Sequence, residues 1–221
     1  MIRLRLKRWA ARAFAPLRRD SRGLALTEFA FALPILMVLM ASGLELANFV
    51  LATKRMGDLA VLVADNASRM GKRGTSNINA ITEAEINDVF IGAALQSGAL
   101  DMENHGRIIL SSLQQNEDGG QWIAWQRCFG NLEGGSLYGE QGDGRSGTGF
   151  PGMGPADRMI TAPAGTAVMV VELAYEYQPV VGVVELPFGT ISELAVFNVR
   201  EARDLSDDPP NPEGVEPSRC E

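Results

Sequence analysis

The longest apolar stretch of the chain lies near its N-terminus, over positions 24–52. It reads LALTEFAFALPILMVLMASGLELANFVLA and contains only two charged residues, Glu28 and Glu45. As an α-helix, this stretch spans roughly 43 Å, whereas the hydrocarbon core of a membrane needs only about 30 Å. The pattern therefore predicts a transmembrane helix over 24–52.

The helical pattern continues beyond the apolar stretch. From Met56 to Met70, apolar residues recur at intervals of three and four, which is typical of a helix with one buried face. Gly71 and Gly74 follow, and glycine commonly ends helices. We therefore expect one helix of roughly 45 residues, half in lipid and half packed on a globular head, with its apolar part interrupted at Pro34.

A second helix is predicted from its N-terminal cap. Thr82 is followed three residues later by Glu85, the spacing of a capping box, and apolar residues recur at helical intervals after it. Gly98 is the expected end of this helix.

Four later segments have the pattern of strands. They are GRIILSSLQQ (106–115), GQWIAWQRCFG (120–130), TAVMVVELAYEY (166–177) and ISELAVFNVR (191–200), with NEDGG as a hairpin turn between the first two. Alternation along the second strand places Trp122, Ala124, Gln126 and Cys128 on one face. Helices followed by about four antiparallel strands predict an α+β fold with a long N-terminal helix.

Two segments lack such patterns. Residues 130–154 contain ten glycines in 25 positions and are predicted to form an irregular, mobile excursion outside the sheet. The acidic, Pro-rich tail over 205–221 is predicted to be extended and poorly ordered, except where Cys220 holds it. The expected organisation is a leader (1–23), a transmembrane helix (24–52), an extracytoplasmic α+β domain (53–204) and the tail.

Charge is divided unevenly along the chain. Residues 1–23 hold eight Lys or Arg and one Asp, whereas residues 24–221 hold 12 Lys or Arg and 26 Asp or Glu. Positive charge before a transmembrane helix keeps that side in the cytoplasm, so the acidic body is expected in a bacterial periplasm or beyond. Nothing in this acidic body suggests that it binds nucleic acid.

The chain contains two cysteines, Cys128 and Cys220. In an exported domain such a pair indicates a disulfide, here closing a loop of about 90 residues. The alternative is two unpaired thiols. No metal site and no cofactor are expected.

Glu28 is unusual because a carboxylate within a bilayer is costly without a partner. One interpretation places it at the headgroup boundary, paired with Arg22 or Arg19. The other assumes that a peptidase cuts after Gly23, which creates a new amine on Leu24 about one helical turn from Glu28. The amine of a neighbouring subunit would then neutralise Glu28 and set the stagger between helices.

The stretch RRDSRGLALTEFAFALPILMVLMASGLELANFVLATKRMGDLAVLVADNASRMG resembles the TadE family of minor pseudopilins from tight adherence (Tad/Flp) pilus systems. Its basic leader, Gly23, Glu28 and Phe29 resemble a class III prepilin signal. WQRCFG, VMVVELAYEYQPVVG and ELAVFNVREAR resemble later parts of the same family. The chain departs from the pattern in having Phe29 where Tyr is frequent and in its long, Gly-rich soluble region.

The resemblance implies a pilin-like fold and a non-enzymatic role in assembling adhesive pili. It implies cleavage between Gly23 and Leu24 by a prepilin peptidase, with Leu24, Glu28 and Phe29 meeting other subunits. The implied partners are other pilins and pseudopilins, the peptidase, the Tad secretion machinery and inner-membrane lipid, with possible incorporation into the pilus.

Two alternatives remain open from the sequence. The chain could be an uncleaved, single-pass anchored module whose extracytoplasmic α+β head binds peptidoglycan, a receptor or a sugar. It could also be a secreted enzyme cut after Ser42 or Gly43, where small residues follow the apolar core. Paired carboxylates such as Glu172 and Glu176, with Glu185 nearby, could in principle serve catalysis, although a solvated strand face explains the first two. His105, the only histidine, is expected to be solvated.

Overall fold

A computed structural model describes residues 23–73, 79–182, 188–199, 204–205 and 207–220, without the side chains of 72, 73 and 79. These residues form two compact units. One comprises residues 23–47 and 180–182, and the other comprises Asn48–Pro179 and the described residues after position 187. The predicted leader over 1–22 lies outside the described residues.

Helix α1 runs over Leu24–Arg69, a length of 46 residues, which confirms the predicted long N-terminal helix. It stops just before Met70 and Gly71, close to the expected end. The expected interruption at Pro34 is wrong, since the helix continues through this residue. Proline lacks only its own N–H, and the bonds on either side suffice to carry the helix past it.

Helix α2 covers Glu83–Ser97, and its N-terminal cap is the predicted one. The Thr82 hydroxyl accepts the Glu85 N–H, and the Glu85 carboxylate accepts the Thr82 N–H, which completes the capping box. Gly98 ends the helix with a φ of +51°, a conformation that favours glycine. A 3₁₀ turn over Gly98–Leu100 and the short helix α3 over Met102–His105 follow.

The structure contains a small two-stranded sheet and a larger four-stranded one. Strand β1 (Lys72–Arg73) pairs with β2 (Asn79–Ala80). The larger sheet contains β3 (Gly106–Gln115), β4 (Gln121–Phe129), β5 (Ala167–Glu176) and β6 (Thr190–Asn198), in the order β4-β3-β5-β6 with every pair antiparallel. The predicted α+β class is confirmed.

The main core lies between the helices and one face of the large sheet. The C-terminal part of α1 contributes apolar side chains from Ala52 to Met70, and α2 contributes Ile86 and Phe90. All of them are buried against alternate residues of the strands. Their burial is the main force holding these elements together. The half of α1 that is predicted to leave the membrane is therefore an integral part of the core.

The opposite face of the sheet is covered by the Gly-rich segment. Tyr138, Phe150 and Met153 of this segment (130–154), together with Ile160 just beyond it, pack against the strands at Leu113, Ile123, Val168 and Val170. The segment has no helix or strand of its own, but it is hydrogen-bonded to β4 through Ile123, Asp143 and Gly142. The predicted irregular conformation is therefore confirmed, but the segment is not a free excursion, because its few apolar residues are enough to hold it against the sheet.

A β-bulge changes the predicted faces of β4. Ser112 pairs with Trp125 and Leu113 pairs with Ile123, so Ala124 is an extra residue. Beyond this bulge the alternation reverses. Trp122 and Trp125 therefore both lie in the helix-side core, where strict alternation had separated them.

The C-terminal tail is better fixed than predicted. Cys128 of β4 donates its N–H to the Ser218 carbonyl at 2.7 Å, and the Asn87 side chain on α2 donates to the Glu216 carbonyl at 2.9 Å. The Glu83 N–H donates to the Pro210 carbonyl at 3.1 Å. The tail thus lies along the start of α2 and the outer edge of β4.

Candidate functional site: the apolar helix and its acidic residues

The N-terminal half of α1 exposes apolar side chains on all sides. Phe29 is 60% exposed and Phe31 is 79% exposed, and every residue from 24 to 40 is exposed. A helix that is apolar all round is stable only when protein or lipid covers it. The helix is long and apolar enough to cross a membrane, and it is compatible with a single-pass anchor.

Gly23 lies immediately before this helix. Its carbonyl accepts the Thr27 N–H at 3.1 Å, the first bond of the helix, and the Thr27 hydroxyl donates to the Leu24 carbonyl at 2.8 Å. Apart from its chain neighbours and the backbone of its own helix, no atom of the described residues lies within 4 Å of where a Gly23 side chain would begin. The Gly23–Leu24 bond therefore lies at an exposed junction, and its role as a cleavage site stays a prediction.

Glu28 lies one turn into the helix and is exposed. Within residues 23–220 as far as the structure describes them, it forms no hydrogen bond and no ion pair. The suggested partners Arg19 and Arg22 lie outside the described residues. The neighbouring Phe29 is exposed as well, so the predicted subunit-pairing residues Leu24, Glu28 and Phe29 are all accessible.

Glu45, the second acid of the apolar run, has a different environment. It is only 2% exposed, and its carboxylate accepts the backbone N–H groups of Val180 at 3.3 Å and Val181 at 2.9 Å. Hydrogen bonds from backbone amides satisfy a buried carboxylate. The sequence indicated only that a charge lay in an apolar run. It did not predict the partners Val180 and Val181, which lie 135 and 136 positions away.

Small residues interrupt the exposed apolar surface of the helix. Ala30, Ala32, Gly43 and Ala47 are exposed, and Ala41 and Ser42 are half-buried. Small side chains let two helices in a membrane approach closely. The small residues would therefore allow close packing of a second helix on this surface in a membrane.

The predicted disulfide is present in the structure. Cys128 of β4 and Cys220 of the tail are bonded across a sequence separation of 92 residues. The bond holds the tail against the edge of β4, where the backbone also pairs between Arg127 and Arg219.

A buried ion-pair cluster that the sequence did not reveal lies beside this bond. Arg127 is fully buried, and its Nε lies 3.0 and 3.1 Å from the two carboxylate oxygens of Glu83, which is 1% exposed. A second nitrogen of Arg127 contacts Asp208 of the tail at 2.5 Å. Although burial raises the pKa of Asp208, hydrogen bonds from Arg127 and Arg219 outweigh this effect and lower it overall. The cluster joins α2, β4 and the tail.

Glu172 on β5 is buried beneath the Gly-rich segment. It accepts hydrogen bonds from the Ser136 hydroxyl and from the Leu137 N–H at 2.9 Å. Burial raises its pKa, against the smaller opposing effect of these hydrogen bonds. The expected solvated face is therefore wrong for Glu172, although Glu176 is exposed. Glu185 lies outside the described residues.

No family model, curated protein or solved structure matches this chain.

Proposed function

We propose that this chain is a non-enzymatic minor pseudopilin that takes part in assembling adhesive pili of the Tad/Flp type. It is inserted into the bacterial inner membrane with its N-terminus in the cytoplasm and its α+β head in the periplasm. A prepilin peptidase cuts it after Gly23, and the mature chain joins other pilins and pseudopilins through α1.

The contrast between the two acids of the apolar segment carries this proposal. Glu45 is buried and hydrogen-bonded within the chain, whereas Glu28 is exposed and has no bond or ion pair among the described residues. In a bilayer, such a carboxylate requires a compensating group from elsewhere. The amine created at Leu24 of an adjacent subunit supplies that group, one turn from its own Glu28.

The test begins with the N-terminus of the protein in the membrane fraction. Edman sequencing or intact mass should show a chain that begins at Leu24, and Gly23→Leu should leave the leader attached. A mature chain that still begins at Met1 would overturn the proposal.

Assembly is tested separately with substitutions on the same helical turns. Glu28→Ala and Glu28→Gln should both reduce the number of pili at unchanged protein level, because neither retains the negative charge. Leu26→Ala is the matched control, since it shortens an exposed side chain two residues away without removing a charge. Normal piliation in both Glu28 variants would contradict the pairing of Glu28 with an amine.

A second candidate is an uncleaved, membrane-anchored binding module. A cavity of about 480 Å³ between the sheet and the Gly-rich segment favours it, since this volume is in the range of small-ligand sites. An intact leader combined with normal function in the Glu28 variants would select this candidate over the pseudopilin.

A further inference from the structure

The two edges of the large sheet differ in how they are covered. On β4, the outward N–H groups of Ile123 and Cys128 donate to the carbonyls of Asp143 and Ser218, and that of Gln126 donates to the Gln141 side chain. The Gly-rich segment and the tail thus occupy this edge along its length. Such covering is the usual way in which proteins prevent a sheet edge from pairing with another chain.

The opposite edge, formed by β6, has no comparable cover among the described residues. The Val199 N–H donates to the Ala167 carbonyl, so odd-numbered residues of β6 point their backbone groups at β5. The even-numbered residues point their N–H and C=O groups outward. None of these outward groups has a hydrogen-bond partner in the part of the chain that the structure describes; they belong to Thr190, Ser192, Leu194, Val196 and Asn198.

The side chains of three of these residues also line a groove. Ser192, Leu194 and Val196 form one side of the 480 Å³ cavity, whose floor includes Ile109 and Ala174 of the neighbouring strands. At alternate positions, Ser192, Leu194 and Val196 therefore offer hydrogen-bonding backbone groups, and the last two also offer apolar side chains. This combination is what an extended peptide needs when it adds to a sheet, because its backbone pairs with the edge while alternate side chains meet the groove.

Charge also restricts the partner. Glu193 is the single charged residue of β6, it is half-buried, and it forms no ion pair or hydrogen bond among the described residues. A basic side chain on the incoming strand would compensate it, since opposite charges stabilise cross-strand pairs and like charges destabilise them. β6 itself contains no basic residue and no proline that would prevent pairing.

We infer that β6 is a docking edge that receives an extended segment of a different exported polypeptide as a fifth strand. That segment carries apolar side chains at alternate positions on the groove side and a basic side chain opposite Glu193. A second copy of this chain fits poorly. Antiparallel pairing of two β6 strands creates a two-fold axis normal to the sheet. Rotation about that axis makes the core segment of α1 (Ala52–Met70) antiparallel in the two copies. In two copies anchored in the same membrane, this segment would instead have the same direction. The exclusion of a second copy rests on the proposed anchorage.

Single-amide hydrogen exchange on the full chain in lipid nanodiscs tests this inference. In the free protein, the amides of Ser192, Leu194 and Val196 should exchange much faster than those of Glu193 and Ala195. The probe is a synthetic peptide, Thr-Val-Thr-Val-Lys-Val-Thr-Val-Thr, at concentrations up to ~1 mM. It should slow exchange at the three outward amides and leave the inward ones unchanged.

Two matched variants examine the backbone contribution. Ser192→Pro removes one outward N–H without touching the bonds to β5, a position that edge strands tolerate. It should weaken peptide binding by about tenfold, while protection of the inward amides shows that β6 is still paired. Ser192→Ala, which keeps the N–H, should bind normally. A peptide with Glu in place of Lys should bind less well, and Glu193→Gln should abolish that difference.

Four results would overturn the inference. They are failure of the peptide to protect the outward amides, equal binding to the Pro and Ala variants, outward amides already protected in the free chain at every protein concentration, and protection that rises with protein concentration. The third would show that the chain covers its own edge, and the fourth would identify a second copy as the occupant. None of these results depends on cleavage at Gly23. Failure of this inference can therefore be distinguished from failure of the proposed pseudopilin function.

Discussion

Glu45 and Glu28 lie in the same apolar segment but differ in their environment: Glu45 is buried, whereas Glu28 is exposed. The backbone amides of Val180 and Val181 satisfy Glu45, so its burial needs no second molecule. Glu28 has no equivalent among the described residues.

Removing the Glu45 carboxylate should release the segment that it holds. We expect Glu45→Ala to accelerate hydrogen exchange at the amides of Val180 and Val181, because their acceptors are lost. Leu46→Ala, an exposed neighbour, is the control and should leave both amides protected. Unchanged exchange in Glu45→Ala would show that these hydrogen bonds do not hold the segment.

Glu172 should make the stability of the head depend on pH. Its folded pKa is raised above 4.5, so the folded state retains the proton to a higher pH than the unfolded state. As pH rises from 4.5 through the raised value, the free energy of unfolding should therefore fall. Denaturant titrations of Glu172→Gln should lack this decrease, and parallel pH profiles for the two proteins would contradict the assignment.

At the scale of elements, α2, β4 and the tail depend on one another through polar groups. The Arg127 guanidinium lies between Glu83 and Asp208, and the disulfide lies on the adjacent residue Cys128. Burying an arginine completely is costly unless its charge is balanced. The cluster and the disulfide together keep the tail along the edge of β4.

Breaking the buried ion pair should therefore cost far more than breaking an exposed one. Glu83→Ala leaves Arg127 buried without its main counter-charge and is expected to lower the free energy of unfolding by about 3–5 kcal/mol. Asp157→Ala breaks the exposed contact with Arg158, with 3.8 Å between the charged atoms, and should have no measurable effect. Chemical denaturation followed by tryptophan fluorescence measures both, and similar losses in the two variants would refute the argument.

The disulfide should stabilise the same region. Cys220→Ser frees a loop closed over 92 residues and is expected to cost about 3–5 kcal/mol in the chain-entropy description. It should also expose the Cys128 N–H of β4 to exchange as the Ser218 carbonyl departs. If the amide stays protected in the variant, the tail is held by its other contacts without the disulfide.

At the scale of the whole molecule, one helix serves two environments. Apolar residues from Ala52 to Met70 belong to the core of the head, whereas positions 24–40 expose apolar side chains on all sides. The position at which α1 is cut should therefore decide whether the head folds.

We expect a chain truncated to begin at Asn48 to be soluble and folded, with the disulfide formed, because it retains the whole buried stripe of α1. A chain that begins at Gly71 should aggregate or remain unfolded, since it lacks Met56, Val63 and Ala64, which are fully buried. Circular dichroism and near-ultraviolet spectra distinguish the two. A folded second chain would show that α1 is dispensable for the core.

The sequence alone determined the long elements of this protein, although not the short β1, β2 and α3. Hydrophobic periodicity, the capping box at Thr82 and the glycines at turns act within a few residues, so they predicted α1, α2 and the four strands with boundaries close to the observed ones. The sequence also predicted the disulfide, the long apolar helix and the α+β class, since composition and the order of the elements specify them.

Only the tertiary structure decided which distant groups meet. The bulge at Ala124 reverses the faces of β4. The Gly-rich segment packs on the sheet above Glu172, and Arg127 forms ion pairs with Glu83 and Asp208. Glu45 likewise accepts hydrogen bonds from the backbone amides of Val180 and Val181, which no pattern of side chains predicts. These pairings arise between residues separated by tens of positions or more, where burial and hydrogen-bond satisfaction are decided by packing rather than by local propensity.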